Sequence, residues 1–576
     1  MTTTADFHRT PPDARKAASL IVLRDGAQGM ELLMLRRAER AGDMRSAAIV
    51  FPGGVLDAAD RHAHHFVVGP DDAAASARLG LPEGGLDYLV AAVREAFEEV
   101  GLLLACASDG SAADLRERAT ALASWRLKLQ QGQGTMAEMC SALDLRLDLR
   151  ALHYHSHWLT PPGVAQRFDT RFFTVLAPAG QEAVADFGEA QELMWTTPAA
   201  ALDPARGWKL LPVTRTTLQR LTVFARAADA HAEAGARREF PLNMPRIGRT
   251  GDGKTKIFLP WDHPWAEIGR VDPDGLDPPL AEIVAGRAVR LSPRIVRVTA
   301  PNPGVMTGPG TNAYLVGDAD GDGWVLIDPG PDDASHRDAI LAAAGTRPIT
   351  HVLATHTHPD HSPGAAAIAR ATGAVVWGLR APPHPGQDHG FAPDHEPADG
   401  EQLVLGPATT LRAIHTPGHA SNHVCWLLQQ ERLLFTGDHV MQGSTVVINP
   451  PDGDMGAYLR SLQALLALEL DWFAPGHGWL VAQPHALVRA LVAHRRAREA
   501  KVVEALAALG PCAVEALVPR VYDDVPADRF PIAARSLLAH LLALRDEGAA
   551  AESHGVWRLT GAAEGGTSRA ALPPGT

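Results

Sequence analysis

The stretch Thr355-His356-Thr357-His358-Pro359-Asp360-His361 reads H-x-H-x-D-H. It follows the apolar residues Ile349, Val352, Leu353 and Ala354, the pattern of a short strand that ends in a turn. Packing gives no reason to crowd three imidazoles and a carboxylate at a strand end. Their lone pairs suit zinc or a similar borderline transition metal. A strand running into a turn can aim alternate side chains at two neighbouring points, which fits a two-metal centre.

Further ligand candidates lie downstream, each behind a short apolar segment. Thr416-Pro417-Gly418-His419 sets a His in a Pro-Gly turn, and Phe435-Thr436-Gly437-Asp438-His439 follows Leu433-Leu434. Ala474-Pro475-Gly476-His477-Gly478 places a last His between glycines. Upstream, Val325-Leu326-Ile327-Asp328-Pro329-Gly330 is another strand that ends in Asp and a turn. Any one of these His residues alone would be an ordinary polar loop residue. The five elements in this order are not explained that way.

The order resembles the metallo-β-lactamase superfamily. The resemblance implies an αββα sandwich with two Zn²⁺. It assigns His356, His358 and His419 to one metal, and Asp360, His361 and His477 to the second. Asp438 bridges the two, Asp328 orients a ligand His, and Asp360 and Asp438 are the carboxylates of the catalytic centre. The implied chemistry is hydrolysis by metal-activated water, with no Cys or Ser nucleophile.

A second dense signal is Arg94-Glu95-Ala96-Phe97-Glu98-Glu99-Val100-Gly101-Leu102. It follows Leu89 to Val93, a plausible helix start. On a helix Glu95, Glu98 and Glu99 share one face, where like charges repel. Arg94 neutralises only part of them, and hard divalent cations favour such oxygen clusters. With the Val50-Phe51-Pro52-Gly53-Gly54 strand and turn, this resembles the Nudix box, G-x5-E-x7-R-E-U-x-E-E-x-G-U. Gly54 opens the box, and Arg94 to Leu102 matches at every fixed position. Two departures stand out. Asp60 occupies the place of a Glu, and the interval Arg61 to Val93 is several times longer than the box allows. The extra segment, Arg61 to about Leu86, reads as a loop.

An interrupted box, with Leu33-Met34-Leu35-Arg36-Arg37 and Phe51 to Asp57, is similar to the Nudix branch of the peroxisomal acyl-CoA diphosphatases. Trp158-Leu159-Thr160-Pro161, Arg167 to Phe173 and Trp195-Thr196-Thr197-Pro198 resemble later segments of that branch. The resemblance implies an α/β/α sandwich that cleaves a diphosphate in CoA, an acyl-CoA or another nucleoside diphosphate derivative. Glu95, Glu98 and Glu99 would hold Mg²⁺ or Mn²⁺, Glu98 and Arg94 would be catalytic, and Arg94 would orient a Glu. Glu192 is the candidate general base.

A chain of 576 residues should hold about three domains. The formal net charge of -13 argues against a broad nucleic-acid-binding surface. Cys106, Cys140, Cys425 and Cys512 are widely spaced without a CxxC, so reduced thiols and a cytoplasmic location are expected. The apolar run Ala17 to Leu23 is too short to span a membrane. The Asp- and Pro-rich stretch Val271 to Leu280 reads as a linker. The expected organisation is a Nudix domain over 1–270, a linker over 271–292 and a metallo-β-lactamase domain over 293–492. A winged-helix-like module over 493–560 and a disordered tail over 561–576 follow.

The opening Asn302-Pro303-Gly304 and Gly310 to Gly317 resembles the beta-lactamase-like protein 2 group, which includes an endoribonuclease and ends in a winged helix. Here the module's near-balanced charge favours a scaffold or homodimer contact over DNA. The overall expectation is a multidomain α+β, bifunctional hydrolase acting on small molecules. The C-terminal centre would cleave a thioester or ester, with single-stranded RNA as the alternative substrate.

Overall fold

Side-chain alternation along the strand Ala14–Gly26 sets the architecture of the first part of the chain. Ala18, Leu20 and Val22 face one apolar cluster while Ile21 and Leu23 face another, so both sides of this strand are covered. In the computed structural model, which describes residues 11, 13–38, 46–185, 190–318, 321–407 and 409–561, this strand is central in an eight-stranded sheet. It pairs antiparallel with Gly29–Arg37 and parallel with Arg167–Leu176. One face carries the helix Gly85–Val100, whose buried Leu86, Leu89, Val90, Val93, Phe97 and Val100 repeat at helical spacing. Gly101, at φ 72, ends that helix by donating its amide to the Phe97 carbonyl. The other face carries the helices Pro212–Leu221 and Ala227–Ala236. The result is a three-layer α/β/α sandwich.

The segment expected as a loop between Arg61 and Leu86 is folded. Ala58–Phe66 is a 3₁₀ helix closed by a capping box between Asp57 and Asp60. Val67–Val68 pairs with the strand Leu145–Asp148, and Asp72–Leu79 is an α-helix capped by Asp71. Its buried Ala75, Ser76 and Leu79 supply an apolar face that composition alone did not reveal.

The second compact unit contains two six-stranded sheets. Alternation again sorts the residues. Val325 and Ile327 face Trp426, Leu428 and Phe435 in the shared core. Trp324 and Leu326 pack outward under the helices Ala334–Ala344 and Ala365–Thr372. Cys425 and Leu427 pack outward under Met455–Leu465 and Pro484–Leu509. These layers make an αββα sandwich.

The 26-residue helix Pro484–Leu509 runs without a break through residue 493. Val488 and Leu491 serve the sandwich, and Val502, Ala505 and Leu506 serve the next core. That core also holds the helices Val514–Val521 and Phe530–Asp546 and the hairpin Ala550–Ser553/Val556–Leu559. The tail expected over 561–576 lies, apart from Gly561, outside the described residues.

Near the expected boundary at residue 270 the chain passes between the two units more than once. The second unit takes Gly248–Lys256, Trp261–Pro273 and everything from Asp277, and Ala288–Ser292 is a strand of its first sheet. The reason is burial. Ile268 sinks into this unit, and Glu267 pairs with the fully buried Arg297 at 2.6 and 2.9 Å. No helix among the described residues is long and apolar enough to cross a membrane. The four cysteines are unpaired thiols.

Candidate metal centre and glutamate helix

Every His/Asp candidate in the second unit sits just beyond a strand end. His356, His358, Asp360 and His361 follow Ile349–Leu353, Asp438 follows Leu433–Gly437, and His477 follows Trp472–Pro475. His419 comes in the turn after Thr409–His415. The side chains converge in two groups. His358 Nδ1 lies 2.9 Å from His356 Nε2 and 3.0 Å from His419 Nε2. His361 Nε2 and His477 Nε2 each lie 3.4 Å from Asp360 Oδ2.

Asp438 faces both groups. Its Oδ1 is 3.4 Å from His361 Nε2 and 3.2 Å from His477 Nε2, and its Oδ2 is 3.8 Å from His419 Nε2. His361 Nε2, His477 Nε2 and Asp438 Oδ1 are buried and make no hydrogen bond of acceptable geometry. Buried polar atoms that converge without bonding one another suit a shared cation. Among the described residues three triads could chelate one: His356/His358/His419, His356/His361/Asp438 and Asp360/His361/His477.

Partners on the far side of each ring fix which nitrogen faces inward. His361 Nδ1 lies 2.9 Å from Asp328 Oδ2, and Asp328 also accepts from the amide and hydroxyl of Thr355. His419 Nδ1 bonds the Val447 carbonyl and His477 Nδ1 the Gly310 carbonyl. Thr311 donates to Asp360 Oδ2 at 3.0 Å. Asn312 and Tyr314 bond the Pro475 carbonyl, which holds the turn before His477. Only Asp328 was legible beforehand. Thr311, Asn312, Val447 and Gly310 act through backbone groups or through residues that carry no chemistry of their own.

Electrostatics divides the candidate ligands. Burial pushes His356 well below its usual range and His358 to about 3, so both are neutral. Burial also works against charge on His477, but Asp438 and Asp360 overcome it and raise this imidazole to about 9. Burial opposes the Asp438 carboxylate too, yet His477 and His361 hold it well below its usual range.

In the first unit Arg94 is the hub. Its Nε and Nη2 grip Asp60 at 2.7 and 3.2 Å, and its Nη1 reaches Glu95 at 2.8 Å and Glu98 at 3.2 Å. Nη2 also donates to the Val55 carbonyl. Asp60, where the box has Glu, is therefore a buried partner of Arg94. Glu99 turns the other way and accepts the Gly53 amide at 2.8 Å. Glu95 abuts Gly54, where an added Cβ would lie 2.4 Å from its Oε1. Burial raises Glu95 to about 7 against the pull of Arg94, and raises Glu98 as well.

Glu95, Glu98 and Glu99 thus share a helix but, unlike the His/Asp set, do not meet as a chelating triad among the described residues. The four carboxylates Asp60, Glu95, Glu98 and Glu99 exceed the charge of one guanidinium, and such an all-oxygen donor set suits a hard divalent cation. Glu192 is ion-paired with Arg36 on the edge strand Ala190–Thr196, and Arg36 is not part of the Arg94 cluster.

Comparison with known proteins agrees with this anatomy. A family model for the metallo-beta-lactamase superfamily matches residues 306–477. The NUDT19 Nudix domain matches 71–210, and the beta-lactamase associated winged helix domain matches 513–557. The chain is 32% identical over 233 residues to the atrochrysone carboxyl ACP thioesterase AgnL7 of Paecilomyces divaricatus, covering 40% of this chain and 68% of that protein. It is 34% identical to an atrochrysone carboxyl ACP thioesterase of Aspergillus chevalieri, covering 44% and 79%.

Among solved structures, a metallo-beta-lactamase family protein from Thermus thermophilus aligns with 47% of this chain and 100% of its own, at 22% identity and a TM-score of 0.41. A NUDIX hydrolase from Alicyclobacillus acidocaldarius aligns with 39% and 97%, at 27% identity and a TM-score of 0.32. The chain belongs to the metallo-beta-lactamase superfamily. It is a hydrolase that joins this domain to a NUDT19-type Nudix domain before it and a winged helix after it.

Proposed function

We propose that the chain is a bifunctional hydrolase whose His/Asp centre cleaves a thioester and whose glutamate helix cleaves a CoA-type diphosphate. The observation that carries the first half is the division of Asp438, with one oxygen toward each imidazole group. His356, His358 and His419 with Asp438 Oδ2 would hold one divalent ion, and Asp360, His361 and His477 with Asp438 Oδ1 the other. The imidazole-rich set favours Zn²⁺. Ions bound there supply Lewis acidity that activates water and offsets oxyanion charge.

The protein's own contribution is orientation. Asp328, Val447 and Gly310 present His361, His419 and His477 in the required tautomer. Thr311 fixes Asp360, which is more exposed than Asp438 and so lies toward the approaching substrate. A thioester suits such a centre because its leaving thiolate, whose acid has a pKa of about 8.5, departs without a general acid. The names of the relatives point the same way.

Thiol release from acyl-CoA, acylglutathione and an acyl-pantetheine tests this reading. Asp438→Ala should lower it by a factor of about 10³, or about 4 kcal/mol, and reduce bound metal at both positions while the fold persists. Cleavage of single-stranded RNA in place of thiol release would overturn it.

For the first unit, Glu95 and Glu98 would hold Mg²⁺ or Mn²⁺ beside the Gly53-Gly54 turn, with Arg94 and Asp60 fixing their positions. CoA should yield 3′,5′-ADP and a phosphopantetheine product. Glu98→Gln should abolish this and leave thioester cleavage intact. Parallel loss of both activities in a folded variant would indicate that the two chemistries are not separate.

A further inference from the structure

The segment Trp261–Val271 lies ahead of the residues matched by the metallo-beta-lactamase family model, yet it reaches the loops that carry two of the centre's side chains. Glu267, on the helix Trp265–Val271, is buried and uses both carboxylate oxygens on Arg297. Its Oε2 also accepts the backbone amide of Leu480 at 3.1 Å. Leu480 stands three residues after His477 in the same loop. Just before the helix, the His263 carbonyl accepts from Gln442 Nε2 at 3.0 Å, four residues after Asp438. The His263 ring meets Trp479 edge-on, with centroids 6.0 Å apart. It also fills the space over Gly443, where an added Cβ would lie 2.4 Å from its Cε1.

A fully buried arginine and a buried carboxylate are costly to keep in an apolar interior, and stability alone is a weak reason for them. Here the pair has a specific product. Arg297, on the strand Ile295–Thr299, holds the Glu267 carboxylate in a fixed place, and that carboxylate accepts the amide behind His477. On the opposite side His477 is held by its Nδ1 bond to the Gly310 carbonyl, by a backbone bridge to Thr311 and by the turn that Asn312 and Tyr314 fix. We infer that Glu267 is a positioning residue for the His477 side of the centre, with His263 as a secondary brace, so that this segment of the second unit, ahead of the matched metallo-beta-lactamase residues, is part of the metallo-hydrolase site. The inference rests on the dinuclear reading above.

The test is metal affinity in the full chain, measured by competition with a chromophoric chelator alongside a thermal melt. Glu267→Ala would strand Arg297 and can simply unfold. The informative variant is the apolar pair Glu267→Met/Arg297→Met, which removes both charges together and leaves the Leu480 amide without its acceptor. It should keep its melt and hold the first ion as tightly as the parent, while its affinity for the second falls about tenfold or more, as for other partners behind metal ligands. Glu267→Gln/Arg297→Met restores a carbonyl acceptor without the charge and should recover most of that affinity. His263 is exposed, so His263→Ala can be read without a folding penalty and should weaken the same ion to a smaller degree.

Second-ion affinity at the parent level in the apolar pair, or equal impairment of the glutamine pair, would overturn the inference. If the apolar pair unfolds, parent-like affinity in His263→Ala would overturn it instead. A parent chain that holds fewer than two ions would sink the dinuclear reading itself, which is a separate result.

Discussion

Thr311 illustrates how much a residue without chemistry of its own decides at this centre. Its hydroxyl donates to Asp360 and accepts from Asn302 Nδ2 at 2.9 Å, so it relays the loop's position to the carboxylate. Thr311→Val keeps the volume and removes both bonds. We predict a loss of about tenfold in kcat/KM with bound metal largely retained; an unchanged kcat/KM would show that Asp360 does not need this restraint.

Gly476 is constrained differently. An added Cβ there would lie 2.7 Å from Asp438 Oδ1 and 2.7 Å from His361 Cε1. Gly476→Ala should therefore cost metal before it costs fold, which metal analysis against the thermal melt would reveal.

In the first unit, burial lowers His155 to about 3, with Arg237 and Arg220 adding to the effect. The unfolded chain, with a His pKa near 6.5, binds this proton first as pH falls. Stability is therefore lost between about pH 6.5 and 3, at no more than about 1.4 kcal/mol per pH unit. His155→Gln should flatten that slope in urea midpoints measured from pH 6 to 4. An unchanged slope would assign the acid lability to other groups.

At the scale of elements, the inserted segment between Arg61 and Gly84 caps the glutamate helix. Asp72 accepts from the amides of Gly84 and Leu86 at 3.0 and 2.9 Å, and Ser76 Oγ accepts from Gly85 at 2.8 Å. These bonds satisfy donors that a helix start leaves open. The approach is close enough that a Cβ on Gly85 would lie 2.3 Å from the Ser76 amide nitrogen. Gly85→Ala should lower unfolding stability by about 1–3 kcal/mol, the usual penalty of overpacking, as read from the chemical denaturation midpoint. By the same argument, deleting the insertion should destabilise the whole glutamate helix rather than merely change substrate preference. A truncated chain with an undiminished melt would contradict this.

At the scale of the molecule, the chain forms two compact units, and the His/Asp centre lies wholly in the second. A ligand that binds only the folded state stabilises it by mass action, about 4 kcal/mol at a thousand times its dissociation constant. Removing transition metal with a chelator should therefore lower a calorimetric transition belonging to the second unit and leave that of the first in place. Equal displacement of both would mean that the units unfold together.

The His and Asp candidates that converge could be picked out in the sequence because rare residue types recur in order at strand ends, and strand ends can be read from apolar runs and glycine turns. The Arg94–Glu99 helix was legible because its charges repeat at helical spacing. The role of Asp60 was not: a carboxylate in a motif position looks the same whether it faces a cation or an arginine, and only packing turned it onto Arg94. The insertion's fold was hidden because Ala-rich, Pro-bearing composition does not report which face becomes buried. The place of Glu267 in the second unit was hidden for a similar reason. Local sequence marks a Pro- and Asp-rich stretch, but it carries no sign that Glu267 meets Arg297 across the strand Ile295–Thr299. What sequence by itself determined was the chemistry, which depends on residue type and order. What tertiary structure alone decided was orientation, meaning which oxygen, nitrogen or backbone amide each side chain meets, because those partners come from distant segments that only folding brings together.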